Sequence, residues 1–261
     1  MWFPRLNWKS RPHRSYGEYR PGVKIGRRLA GVTLAALLAH APAGPAARAA
    51  DRPVRIVAFG DSLTAGYGLA ADEAFPVRLQ RALAAKGIAT EIANAGVSGD
   101  TTSGGLARLD WSVPDGTDAV ILELGANDAL RGIDPKVTRG ALDALLRRLR
   151  ERHIPVLLCG MLAPRNLGAD YGAAFDAIYP DLAREYGVAL YPFFLDGVAT
   201  APKLNQRDGL HPTAAGVDVI VANILPAVER LVAQARDQAR AQAAGQAAGQ
   251  ADTSTKARKS P

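Results

Sequence analysis

Short apolar runs recur along the chain, each separated from the next by a helical pattern. They are Val54–Phe59, Thr90–Ala93, Ala119–Leu124, Val156–Gly160 and Val188–Tyr191. Most lack the polar alternation of a half-exposed strand, so they fit strands covered on both faces. Between them lie an amphipathic run, Phe75–Lys86, closed by Gly87, and a short helical stretch near Gly105–Trp111. A strong helix follows over Pro135–Arg152, with leucines at 142, 145, 146 and 149, and another around Tyr171–Tyr186, stopped by Gly187. A last helix is expected from Pro212 to about Ala235, kinked or divided at Pro226. This alternation predicts an α/β fold: a three-layer α/β/α sandwich around a five-stranded parallel sheet.

In such sheets ligands bind beyond the carboxyl ends of the strands. Three glycine-bearing polar stretches fall there: Gly60-Asp61-Ser62-Leu63-Thr64-Ala65-Gly66-Tyr67-Gly68, Asn94-Ala95-Gly96-Val97-Ser98-Gly99-Asp100, and Gly125-Ala126-Asn127-Asp128. Ser62 at a strand end is a candidate nucleophile, provided a base and oxyanion donors reach it. Of the four histidines, His13 and His40 lie in the amino-terminal segment, and His153 sits between a basic helix end and a strand, a capping or surface position. His211 remains, with Asp208 three residues before it. In a tight turn that spacing lets the carboxylate hold one imidazole nitrogen and leaves the other for the serine. Taken alone the pair equally fits a turn preceding a helix. A metal pair would need further ligands, and no other His or Cys is placed to complete a set. Asn127 fits either an oxyanion donor or an ordinary turn, and Gly96 either a close backbone N–H donor or a turn glycine. The Ser62 N–H is a third candidate donor if it opens a helical turn. The single cysteine, Cys159, excludes an internal disulfide and reads as a buried strand residue.

The net charge of +7 is carried by the ends: residues 1–50 hold +8 and residues 234–261 hold +3, leaving −4 for residues 51–233. A basic folded face for nucleic acid is therefore not expected. Arg27-Arg28 precede an apolar run, Leu29–Ala39, too short to span a bilayer but suited to a signal-peptide core. Ala47-Arg48-Ala49 gives a small-x-small cleavage site, so residues 1–49 are read as an export signal with a long basic leader. The rival reading is an uncleaved anchor. The length of the leader points either to a start further in or to a twin-arginine signal. Residues 50–235 form the expected folded domain. Residues 236–261, rich in Ala, Gln and Gly, are expected to be disordered.

The Gly-Asp-Ser-Leu, Asn-Ala-Gly-Val-Ser-Gly-Asp, Gly-Ala-Asn-Asp and Asp-Gly-Leu-His-Pro stretches, in this order, resemble the four blocks of the SGNH (GDSL-type) hydrolases. Leu106–Leu109, Leu130–Gly132, Ala174–Pro180 and Tyr191–Phe194 extend the likeness to the bacterial periplasmic thioesterase, arylesterase and lysophospholipase subgroup, over about residues 54–232. The resemblance implies a flavodoxin-like sheet and hydrolysis of acyl esters and thioesters without metal or cofactor. It implies Ser62 as nucleophile, His211 as base and Asp208 as its partner. The Ser62 N–H, the Gly96 N–H and the Asn127 amide would then form the oxyanion hole. Ala126 stands where many members carry glycine. The acyl groove is expected along Met161–Gly168 and Phe193–Lys203, with Leu162, Pro164, Leu167 and Phe194 touching substrate. A periplasmic or secreted monomer acting on small-molecule esters follows from the same likeness. The alternatives are an O-deacetylase of carbohydrates on the same fold, or a nucleotide- or phosphate-binding module, for which the usual glycine motifs are missing.

Overall fold

The computed structural model describes residues 52–258, with side chains described to Gln246. The expected export segment, residues 1–49, lies outside the described residues. Five strands are present: β1 (Val54–Gly60), β2 (Thr90–Gly96), β3 (Ala119–Glu123), β4 (Val156–Cys159) and β5 (Ala189–Tyr191). All pair in parallel, in the order β2-β1-β3-β4-β5. The order reverses direction between β1 and β3, which opens a crevice at their carboxyl ends.

The helices are α1 (Ser62–Ala65), α2 (Phe75–Ala85), α3 (Thr102–Ser112), α4 (Ala126–Leu130), α5 (Pro135–Glu151), α6 (Ala169–Asp176), α7 (Ile178–Tyr186) and α8 (Ala214–Arg258). On one face of the sheet α2 packs on α8; on the other α3 packs on α5 and α5 on α7. Each helix has a local cause. Pro135 opens α5 behind an Asp134 cap, and the helix buries Leu142, Leu145, Leu146 and Leu149 as one stripe. The chain leaves it through His153, which takes φ 55° and donates its N–H to the Arg150 carbonyl. β3 and β4 are buried at every residue, which is why their sequence shows no alternation. Cys159 lies fully buried in β4.

Two expectations change. Residues 171–186 form two helices, separated at Ala177, where the sequence suggests one. The last helix continues to Arg258, past the expected end near Ala235. Ala and Gln are good helix formers, and they extend a helix already nucleated by its packed half. Pro226 does not divide it. Val217, Ile220, Val221 and Ile224 before the proline, and Val228, Leu231 and Val232 after it, are all buried, so both halves stay on the core.

Two buried polar residues join the layers near the sheet's carboxyl edge. Asp128 accepts from the Thr102 N–H at 2.9 Å, from Thr102 Oγ1 at 2.6 Å and from Thr138 Oγ1 at 3.1 Å, tying α4 to α3 and α5. Arg108 on α3 donates to Asp100 Oδ2 at 2.6 Å, to the Ala95 carbonyl at 2.9 Å and to the Gly60 carbonyl at 2.8 Å. It thereby fastens the ends of β1 and β2 and the loop after β2. Removing one partner of a buried ion pair strands the other. Arg108→Ala is expected to lower stability by about 3–5 kcal/mol, read as a shifted urea midpoint.

Candidate active site

β1 ends at Gly60, and the chain turns at once into α1, a single helical turn beginning with Ser62. Asp61 caps it, its Oδ1 accepting the Leu63 N–H at 2.9 Å. Gly66, at φ 81°, closes it by donating to the Ser62 carbonyl. Ser62 is thus held at the rim of the sheet, 8% exposed. Its N–H is the first of the helical turn and has no hydrogen-bond partner among the described residues.

His211 comes from the opposite end of the folded region. Its Nε2 lies 2.9 Å from Ser62 Oγ, and its Nδ1 lies 2.7 Å from Asp208 Oδ2. A carboxylate only accepts, so Nδ1 carries the proton and Nε2 is left to accept from the serine. The other oxygen of Asp208 accepts the N–H groups of Leu210 at 2.9 Å and His211 at 3.0 Å. These bonds, the His211 N–H first, pull the Asp208 carboxyl down to about 2. The loop is braced as well. Gln206 donates to the carbonyls of Tyr67 at 2.7 Å and Pro212 at 2.9 Å, and the Tyr67 ring lies 4.6 Å from the imidazole, centroid to centroid.

Asn127 lies on α4, next to the end of β1 across the crevice. Its Nδ2 donates one hydrogen to Asp61 Oδ2 at 3.0 Å, which orients the amide and leaves the second hydrogen free. Burial is the main force on Asp61 and raises its carboxyl to about 6; the Leu63 N–H and the Asn127 amide partly offset it.

Gly96 is placed differently from the expectation. Its N–H donates to Asn94 Oδ1 at 3.0 Å, so it is not available to a ligand. A β-carbon there would collide with the Ala65 backbone and lie 2.8 Å from the Asp61 carbonyl oxygen. Gly96 therefore serves close packing of β2 against α1. Three residues on, Gly99 has φ 81°, and its carbonyl accepts from Arg131 at the end of α4 at 2.7 Å. Its N–H has no partner among the described residues.

A cavity of about 570 Å³ opens beside Ser62, Asn127 and His211. Leu162 and Pro164 line it. Leu167 does not; it ends a short 3₁₀ turn, Arg165–Leu167. Phe194 is fully buried and packs edge-on against Phe75, with ring centroids 5.0 Å apart. Its neighbours Phe193 and Leu195 line the cavity instead, together with Leu130, Met161 and Leu210. The chain turns from Phe194 onward, so the sequence of this segment does not show which side chain faces the cavity. Among the described residues no group of three or more His, Cys, Asp or Glu is arranged to hold a metal ion.

Against known proteins, residues 58–219 match the GDSL-like Lipase/Acylhydrolase family. The chain is 36% identical over 178 residues to the esterase TesA of Pseudomonas aeruginosa, covering 68% of this chain and 89% of that protein. It is 41% identical over 158 residues to thioesterase 1/protease 1/lysophospholipase L1 of Escherichia coli K12, covering 60% and 74%. Among solved structures, AlinE4, an SGNH-hydrolase family esterase, superimposes with a TM-score of 0.59 at 49% identity, covering 69% of this chain and 96% of that one. The sheet order, the strand-end serine and these matches agree: the chain belongs to the GDSL-like lipase/acylhydrolase family.

Proposed function

We propose that the protein hydrolyses acyl esters and thioesters through a covalent acyl-enzyme. The observation that carries this is the unbroken chain Asp208–His211–Ser62, ending at the mouth of an apolar cavity. Ser62 Oγ attacks the acyl carbonyl while His211 Nε2 takes its proton. Asp208 holds the imidazole in that tautomer and stabilises the imidazolium. Collapse of the tetrahedral intermediate expels the alcohol or thiol, which leaves with the proton from Nε2. Water, deprotonated by the same nitrogen, then attacks the acyl group and returns Ser62.

The developing oxyanion needs preorganised donors. The Ser62 N–H and the free hydrogen of the Asn127 amide meet that need. Gly99 replaces Gly96 as the third donor in this reading, because its N–H is unpartnered and Arg131 pins its carbonyl. The wall of Leu130, Met161, Leu162, Phe193 and Leu195 suits an aliphatic or aryl acyl group, and Arg165, Thr200 and Asn205 add polar groups to the same cavity. The relatives named as an esterase and as a thioesterase and lysophospholipase support the same substrate class. Export fits the leader: removal of residues 1–49 would leave the chain from Ala50. No described helix is long and apolar enough to cross a membrane.

Ser62→Ala is expected to abolish turnover of p-nitrophenyl esters and acyl-thioesters while leaving the thermal unfolding curve in place; residual turnover near wild type would remove Ser62 from the mechanism. Asn127→Ala is expected to lower kcat by about 10²–10³-fold, measured at saturating ester. A depressed carboxylate keeps its stabilising effect above its unfolded value and loses it as pH falls through its folded value. With Asp208 near 2, the Asp208–His211 pairing survives throughout the range above about pH 4. Activity lost on moving from pH 8 to pH 5 is therefore expected to return in full on a jump back to pH 8, followed in a stopped-flow assay.

A further inference from the structure

One carboxyl group beside the site has no part in the acyl-transfer steps. Glu123 ends β3 and is completely buried. Its neighbours at that level of the sheet are Gly60 on one side and Cys159 on the other. Oε2 lies 2.6 Å from Thr64 Oγ1 and accepts the Asp61 N–H at 3.4 Å. Both contacts fall on the nucleophile turn, one residue before Ser62 and two after it. Oε1 has no partner. A β-carbon at Gly60 would strike Thr64 Oγ1 and come within 2.5 Å of Glu123 Oε2. The glycine before Asp61-Ser62 is thus what admits a carboxyl group beneath the turn.

An ionised carboxylate at this position would lack a counter-charge, and burying one unpaired is costly. The titratable groups that face it are Asp61 from the turn, the Cys159 thiol from β4 and the Tyr179 hydroxyl from α7. None is a cation. Arg108, on α3, is engaged by Asp100 and by the carbonyls of Gly60 and Ala95. Burial first, then the charge of Asp61, push the Glu123 carboxyl well above the usual range.

The geometry points to Glu123 as a positioning residue that works as a neutral carboxylic acid, holding Thr64 and the Asp61 N–H from inside the sheet so that Ser62 stays in line with His211. The 2.6 Å contact with Thr64 Oγ1 forms with either protonation state, so the neutral state rests on the complete burial, the unpartnered Oε1 and the missing counter-charge. The inference rests on the acyl-transfer reading above, and its effect belongs to kcat. Glu123 touches neither the cavity nor the reacting atoms.

The test is steady-state kinetics on a neutral p-nitrophenyl ester for wild type, Ser62→Ala, Glu123→Gln, Glu123→Ala and Thr64→Val. It is joined by the infrared difference spectrum of wild type minus Glu123→Gln at neutral pH. Glu123→Gln, a neutral isostere, should retain most of kcat. Glu123→Ala should lose about 10²-fold in kcat with KM little changed, and Thr64→Val should move kcat in the same direction. The difference spectrum should carry the C=O stretch of a protonated carboxyl group. A loss of kcat in Glu123→Gln equal to that in Glu123→Ala, or a carboxylate band in place of the acid band, would overturn the inference. If Glu123→Ala does not fold, Thr64→Val decides the kinetic arm, and wild-type kcat there overturns the positioning role. Wild-type turnover no faster than Ser62→Ala would instead sink the acyl-transfer reading, with the infrared band still reporting the state of Glu123.

Discussion

Parallel pairing brings the carboxyl ends of all five strands to one edge of the sheet, and the reversal of strand order between β1 and β3 parts the loops there. Ser62 follows β1 and Asn127 follows β3, so the two flank that crevice without any long-range search. The loop after β5 completes the set, because β5 is the far edge strand and its connection must travel back across the top of the sheet to begin α8. Arg108, Asp128 and Gln206 then convert a chance meeting of loops into a fixed arrangement. Each satisfies several backbone or side-chain groups from two or more elements.

The parts of the site that were legible in the sequence are those set by short-range chemistry. Asp208 and His211 lie three residues apart in one turn, and Ser62 begins the turn that a strand-ending glycine announces. What failed to show is decided by orientation. Gly96 and Gly99 are both glycines in one polar stretch, and only the folded loop shows that Asn94 takes the N–H of the first. Phe194 sits in the right segment and faces the core, and the irregular stretch after β5 carries no period from which that direction could be read. The carboxyl-terminal helix shows a different limit. The loss of large apolar residues after Ala235 suggests an end there, and the helix runs on to Arg258 because Ala and Gln favour it.

Glu123 is the case in which local reading conflicts with the fold. A glutamate closing a fully buried strand breaks the apolar pattern, and such breaks concentrate where function needs a polar group. The glycine opposite it is equally particular, since any side chain at position 60 would occupy the space of the carboxyl group. The Gly-Asp-Ser sequence therefore has two sides. Ser62 faces the cavity, and Gly60 faces inward to a residue more than sixty positions away.

The hydrogen bond between His211 and Ser62 joins residues 149 positions apart. Nothing shorter than the whole sheet with its final crossover can form it. Contacts of such long sequence separation form late, after the loop-closure entropy of the intervening chain has been overcome. A chain still emerging from the ribosome would carry Ser62 before His211 could reach it. In the proposed mechanism, hydrolytic competence then arrives only with the crossover that carries His211 to the sheet edge.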